Sequence, residues 1–109
     1  MQQEVLSVLL KLLAEDNKIE SKSEQPFKIG EKYFFRTITY HVTGKVKSIV
    51  GHFLVLEDAA WVADSGRFRQ AIMEGVLDEV EPVDVEMYLN LESITDAFQW
   101  KKDLPRVQK

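Results

Sequence analysis

Residues 33–57 read Tyr-Phe-Phe-Arg-Thr-Ile-Thr-Tyr-His-Val-Thr-Gly-Lys-Val-Lys-Ser-Ile-Val-Gly-His-Phe-Leu-Val-Leu-Glu. Aromatic and β-branched residues dominate, as extended chain favours, and Gly and His interrupt the run where turns belong. Alternation over Tyr33 to Val42 puts Phe34, Ile38, Tyr40 and Val42 on one face with Arg36, and Tyr33, Phe35, Thr37, Thr39 and His41 on the other. Both faces carry aromatics, so this strand is expected to be covered on both sides. Thr43-Gly44 then reads as a turn, Lys45 to Val50 as a second strand, Gly51-His52 as another turn, and Phe53 to Glu57 as a third strand. Three antiparallel strands in sequence make a meander.

Downstream of the meander the pattern changes. Asp58 to Arg67 places one Trp among small residues and closes on a turn, after which Phe68, Ala71 and Ile72 recur at helical spacing and Gly75 can stop a helix of about two turns. Val76–Val83 and Glu86–Leu91 can supply one or two further strands, with Pro82 favouring an edge. Ser93 suits the cap of a brief turn through Ala97, and Phe98–Lys109 reads as an extended tail whose first part docks through Phe98 and Trp100.

Upstream, Glu4, Ser7, Lys11, Glu15 and Lys18 project onto one narrow helical stripe. Val5, Leu6, Val8, Leu9, Leu10, Leu12 and Leu13 cover an apolar arc of roughly 200°, wider than the roughly 100° that a helix on one surface needs. Such a helix wants neighbours on two sides, and packing against a partner subunit is the expectation, with folding back onto its own domain as the alternative. Residues 18–26 have a linker's composition, ending on Pro26. The expected organisation is an association helix over residues 1–17, a polar linker over 18–26, and a small β domain with its tail over 27–109. No basic residue precedes Val5, and the apolar run is too short to span a bilayer, so it reads as neither a secretion signal nor a membrane anchor.

The 109 residues allow one domain with one core, and 45% hydrophobic with 29% charged residues is an ordinary globular balance. The absence of cysteine removes disulfides, thiolate metal sites and cysteine nucleophiles, and a cytoplasmic location is expected, or a virion if the chain is phage-encoded. A net charge of -4 speaks against nucleic acid as the main partner. The charge is uneven: residues 26–73 hold seven Lys and Arg against four acids, and residues 74–109 hold four against nine. Like copies could meet head to tail through that asymmetry.

Helix, bent hairpins, short helix and closing strands are what small barrels of the SH3 and Sm type look like. Thr43-Gly44-Lys45-Val46 through Phe53-Leu54-Val55-Leu56-Glu57-Asp58-Ala59 resembles the second and third strands of that class, in which a bent strand started by Gly precedes one ending in an acidic and a small residue. The resemblance implies a mainly β, α+β fold: a small SH3-like barrel with an N-terminal amphipathic helix, one short internal helix and an extended C-terminal tail. The Asp and Asn that Sm proteins carry at the intervening turn are absent, since that turn is Gly51-His52. Phe35-Arg36-Thr37 through Ala60-Trp61-Val62-Ala63-Asp64-Ser65-Gly66-Arg67-Phe68 also resembles small proteins of unassigned role from bacterial and prophage genomes.

No catalytic or cofactor signature stands out. His41 and His52 have no spacing that enforces a metal site with Glu57 or Asp58; Glu79, Glu81, Asp84 and Glu86 form a plain acidic run; Ser65-Gly66 lacks the nucleophile-elbow frame; Gly44 and Gly51 do not make a phosphate loop. The chain is therefore expected to have no catalytic residue, cofactor or metal, and to act as an assembly module, homo-oligomeric or docked in a larger assembly such as a phage structural or decoration complex. The expected interface residues are Val5, Leu6, Leu9, Leu10, Leu12 and Leu13 on the helix, Trp61 and Arg67 as an aromatic anchor beside an Arg, and Trp100 on the tail. The alternative is an Sm-like nucleic-acid platform built on Tyr33, Arg36, Tyr40 and Lys45.

Overall fold

A computed structural model describes residues 25–109. The expected association helix, and all of the linker before Gln25, lie outside the described residues. Six strands follow: β1 (Lys32–Thr37), β2 (His41–Val50), β3 (Phe53–Asp64), β4 (Glu79–Pro82), β5 (Met87–Asn90) and β6 (Ile94–Gln99). One helix, α1 (Phe68–Glu74), sits between β3 and β4, and a 3-10 turn at Leu91–Ser93 joins β5 to β6. The sheet is antiparallel, in the order β4-β3-β2-β1-β6, and β3 is long enough to pair β5 along Phe53–Leu56 and β4 along Ala60–Asp64.

The meander is present, but its first turn is not where the glycine suggested. Ile38 and Thr39 form the reversal between β1 and β2, with the Thr37 N–H donating to Tyr40 O at 2.9 Å and the Thr37 hydroxyl donating to the same oxygen at 2.7 Å. A threonine whose hydroxyl also accepts from the Tyr40 N–H closes this loop without any glycine. Ile38 is carried to the tip, 88% exposed, so the ten residues read as one strand are two.

Gly44 lies inside β2 instead. Asp58 and Ala59 oppose it in a bulge, between the pairs Thr43↔Ala60 and Lys45↔Glu57. A Cβ at residue 44 would meet Leu56 carbons at 3.2 Å, a crowded contact that glycine avoids where β2 bends over β3. The partner strand bends at the same level, where Asp58 takes φ 51, in the left-handed region that Asp tolerates better than most residues. Consequently β3 continues past the expected stop at Glu57 to Asp64, and Trp61 lies on a strand rather than a loop.

Bending curls the sheet around one core. Tyr33, Phe35, Val42, Val46, Leu54, Leu56 and Leu89 fill it from β1, β2, β3 and β5, and Leu91, Ile94 and Ala97 pack in from the 3-10 turn and β6. Phe34, one residue out of phase with its neighbours, points the other way. It joins a lateral core with Ala60, Val62, Ala71, Leu77, Val80 and Trp100. The expected double coverage of the first strand is thus present, supplied on the outer side by α1, β4 and the tail.

Helix α1 begins at Phe68 and ends at Gly75, whose φ of 73 and N–H to Ala71 O bond of 2.9 Å close it as the spacing predicts. Ser93 caps nothing helical: Asn90 caps the 3-10 turn through its side chain, and Ile94 onward is strand because it pairs with β1. Beyond β6 the tail is anchored rather than loose. Trp100 stacks on Phe34 with centroids 6.1 Å apart, its indole N–H donates to Asp103 O at 3.0 Å, and Lys109 exchanges both backbone hydrogen bonds with Val80. Pro82 stands on β4, an outer strand of the sheet, as its missing donor requires.

Candidate protein interface

The sheet's outer face is not covered everywhere. Where β2 turns into β3, Gly51 at φ 58 serves a tight reversal that pairs Val50 with Phe53. Alternation sends Leu54 and Leu56 inward, while Phe53 and Val55 face out; Val55 pairs with Tyr88 of β5 and with Ser48 of β2. The result is an apolar face of Val50, Phe53, Val55 and Tyr88 spread over three strands, with Val50 63%, Phe53 44% and Tyr88 65% exposed. It forms a groove of about 520 Å³ with Lys47, Ser48 and Glu86 at its edge.

The groove's two charges satisfy each other. Lys47 donates to Glu86, and that hydrogen bond holds the ammonium above its ordinary pKa. The floor is left apolar, chemistry suited to aliphatic or aromatic side chains of a protein.

The sheet also leaves two strand edges open among the described residues. Among the described residues, β5 pairs only with β3, and β6 only with β1. β4, by contrast, has Lys109 bonded at Val80 on its outer side.

The sequence-predicted residues do not converge. Tyr33 is buried in the barrel core, where its hydroxyl accepts from the Lys28 N–H at 3.0 Å. Arg36 faces the other side, paired through two hydrogen bonds with Asp96 and stacked over Phe68 at 4.7 Å and Phe98 at 5.4 Å. That pairing raises the Arg36 pKa and, chiefly through the hydrogen bonds Arg36 donates, lowers the Asp96 carboxyl. Tyr40 stands by the β1–β2 turn, partly exposed, and Lys45 is 4.0 Å from Glu57. Tyr33, Arg36, Tyr40 and Lys45 therefore form no single stacking and phosphate-binding surface.

Of the expected interface residues, Val5, Leu6, Leu9, Leu10, Leu12 and Leu13 lie outside the described residues. Trp61 is exposed on β3, opposite Glu81 of β4, and Arg67 is exposed just before α1. Trp100 is 2% exposed: its ring is spent on the chain's own lateral core, leaving nothing for a partner to grip. The groove itself escaped the sequence reading. Its signal was the unbroken apolar run Phe53-Leu54-Val55-Leu56, which fills both faces of a strand when only one can face the barrel core.

His41 opens β2 and His52 lies in the turn beyond its far end, roughly 36 Å of extended chain apart. Among the described residues no cluster of His, Cys, Asp or Glu forms a metal-ligand set, and no helix is long and apolar enough to cross a membrane.

No protein-family model matches the chain, and no curated protein matches it. Among solved structures it is similar to a heptameric archaeal Sm protein, at 20% identity over 65% of this chain and 87% of that one, with a TM-score of 0.43.

Proposed function

We propose that this chain is a non-enzymatic association module of the small SH3- or Sm-like barrel type, joining copies of itself or docking in a larger assembly. The feature that supports it is the pair of strands β5 and β6, each bonded on one side alone among the described residues. An unpaired edge offers a row of N–H and C=O groups to another strand. The two edges are consecutive in the chain, turned by Leu91–Ser93, and their pairing with unlike edges of neighbouring copies gives a heterologous contact that closes into a ring or extends as a filament. The basic first half and acidic second half of the domain add head-to-tail attraction to it.

Sedimentation across a concentration series tests this, with hydrogen exchange read at Met87–Asn90 and Ile94–Gln99. A mass above the monomer and slowed exchange at those amides on association are expected. A monomeric mass throughout retires the reading. A phage-type structural or decoration protein, working in the virion or in the cytoplasm that builds it, is a setting such a module suits. Nucleic acid is set aside because Tyr33 is buried and Arg36 is held by Asp96; oligonucleotide binding that falls steeply with salt would reverse that choice.

A further inference from the structure

We infer that the apolar face of Val50, Phe53, Val55 and Tyr88 is the seat of the chain's own leucine-rich segment, Val5–Leu13. Three observations meet here. The face is a three-strand apolar floor, about 10 Å across from β2 to β5 at the usual strand spacing. A nine-residue helix over Val5–Leu13 is about 13 Å long, so it crosses that floor from side to side. The groove's charges, Lys47 and Glu86, are already paired, so it asks no charge of its occupant, and the segment's apolar arc brings none.

The tether permits it. Eleven residues, 14–24, separate the segment from Gln25 and reach up to roughly 36–40 Å when extended. Gln25 lines a concavity whose far wall includes Leu91, and the Leu91 N–H donates to His52 O at 2.8 Å, beside Phe53. The first described residue thus shares a concavity with Leu91, whose backbone is bonded to the turn that leads into Phe53. A short tether holds its segment at an effective concentration near millimolar, which favours the same chain over a second copy. Seating one side of a 200° arc leaves its other flank outward. Tyr88 stands on β5, but the seat uses the face of that strand and association uses its backbone edge, so the two readings are probed separately.

The protein has no cysteine, so an introduced pair reports without background. Leu9→Cys with Val50→Cys, in the full chain at concentrations where it sediments as a monomer, is expected to form a disulfide within one chain. Its rate should exceed by about tenfold that of Leu9→Cys with Ile38→Cys, the exposed tip at the other end of β2. Equal rates, or a disulfide joining two chains, overturn the inference. Hydrogen exchange provides a second arm that needs no cysteine. Amides of residues 5–13 should exchange about tenfold faster in Tyr88→Asp than in the unaltered chain, with β1 and β2 amides unchanged as the control for folding. No difference between the two proteins also overturns it. Both arms are read on the monomer, so their failure leaves the proposal about strand edges untouched.

Discussion

The outer face of the curled sheet is finished in two different ways. Around Phe34, Ala60 and Val62 it is roofed by α1, β4 and the tail, and a second apolar core forms. Around Val50, Phe53 and Tyr88 the same sheet carries the same kind of side chains with no roof among the described residues. Apolar patterning therefore does not separate core from exposed face in this chain. What separates them is whether a later segment of the chain returns to cover the strand.

Removing the roof's main side chain should have the largest effect. Trp100→Ala leaves Phe34 without its stacked partner and opens a void, and chemical denaturation should show a loss of about 3–5 kcal/mol. Should Trp100→Ala leave stability unchanged, the lateral core contributes nothing and the distinction between the two ends collapses.

A smaller effect is expected where the roof is stitched together. Gly75 ends α1 at φ 73, and a Cβ there would meet Lys102 Cβ at 2.7 Å. Gly75→Ala should cost about 1–2 kcal/mol through the left-handed backbone, besides displacing the Lys102 side chain. A neutral thermal midpoint would mean that residue 75 is not held in the left-handed conformation that ends α1.

Acid should act on the roofed end through Asp96. Its pKa is lowered in the folded state by the hydrogen bonds from Arg36, so its contribution is full above the unfolded carboxyl value of about 3.9 and is lost as pH falls through the lower folded value. Stability measured against pH should drop below about pH 4 in the natural sequence, and Asp96→Asn should flatten that part of the fall. Both groups are partly solvated, so the drop should be modest and should shrink in high salt.

The bare end should respond least. Tyr88→Ser, outside both cores, is expected to change the denaturation midpoint by about 1 kcal/mol or less. A loss as large as that of Trp100→Ala would show that this face is packed as tightly as the lateral core and that the two ends do not differ.

Much of the fold was legible locally. The meander, the helix stopped by Gly75, the edge position of Pro82 and the double coverage of the first strand all follow from periodicity and from what single residues permit. The misplaced first turn has one cause, which is that glycine has two uses. Gly44 was read as a turn because turns favour it, yet it is a packing glycine, and Thr37 closes the real turn through its own hydroxyl. The interface was less legible than the fold. Trp61 is exposed while Trp100, equally bulky in the sequence, is buried, and the leucine-rich segment lies outside the described residues.

By itself the sequence determined which stretches extend, which coil, and that the chain holds more apolar surface than one barrel core uses. Those are properties of near neighbours: side-chain alternation, helical spacing, and the backbone each residue tolerates. Only the tertiary structure decided where the surplus goes. Phe34 is sheltered because Trp100, far away in sequence, returns to it, and Tyr88 is exposed because no described residue returns to cover it on β5. Burial depends on which distant segments meet, and no local pattern contains that information.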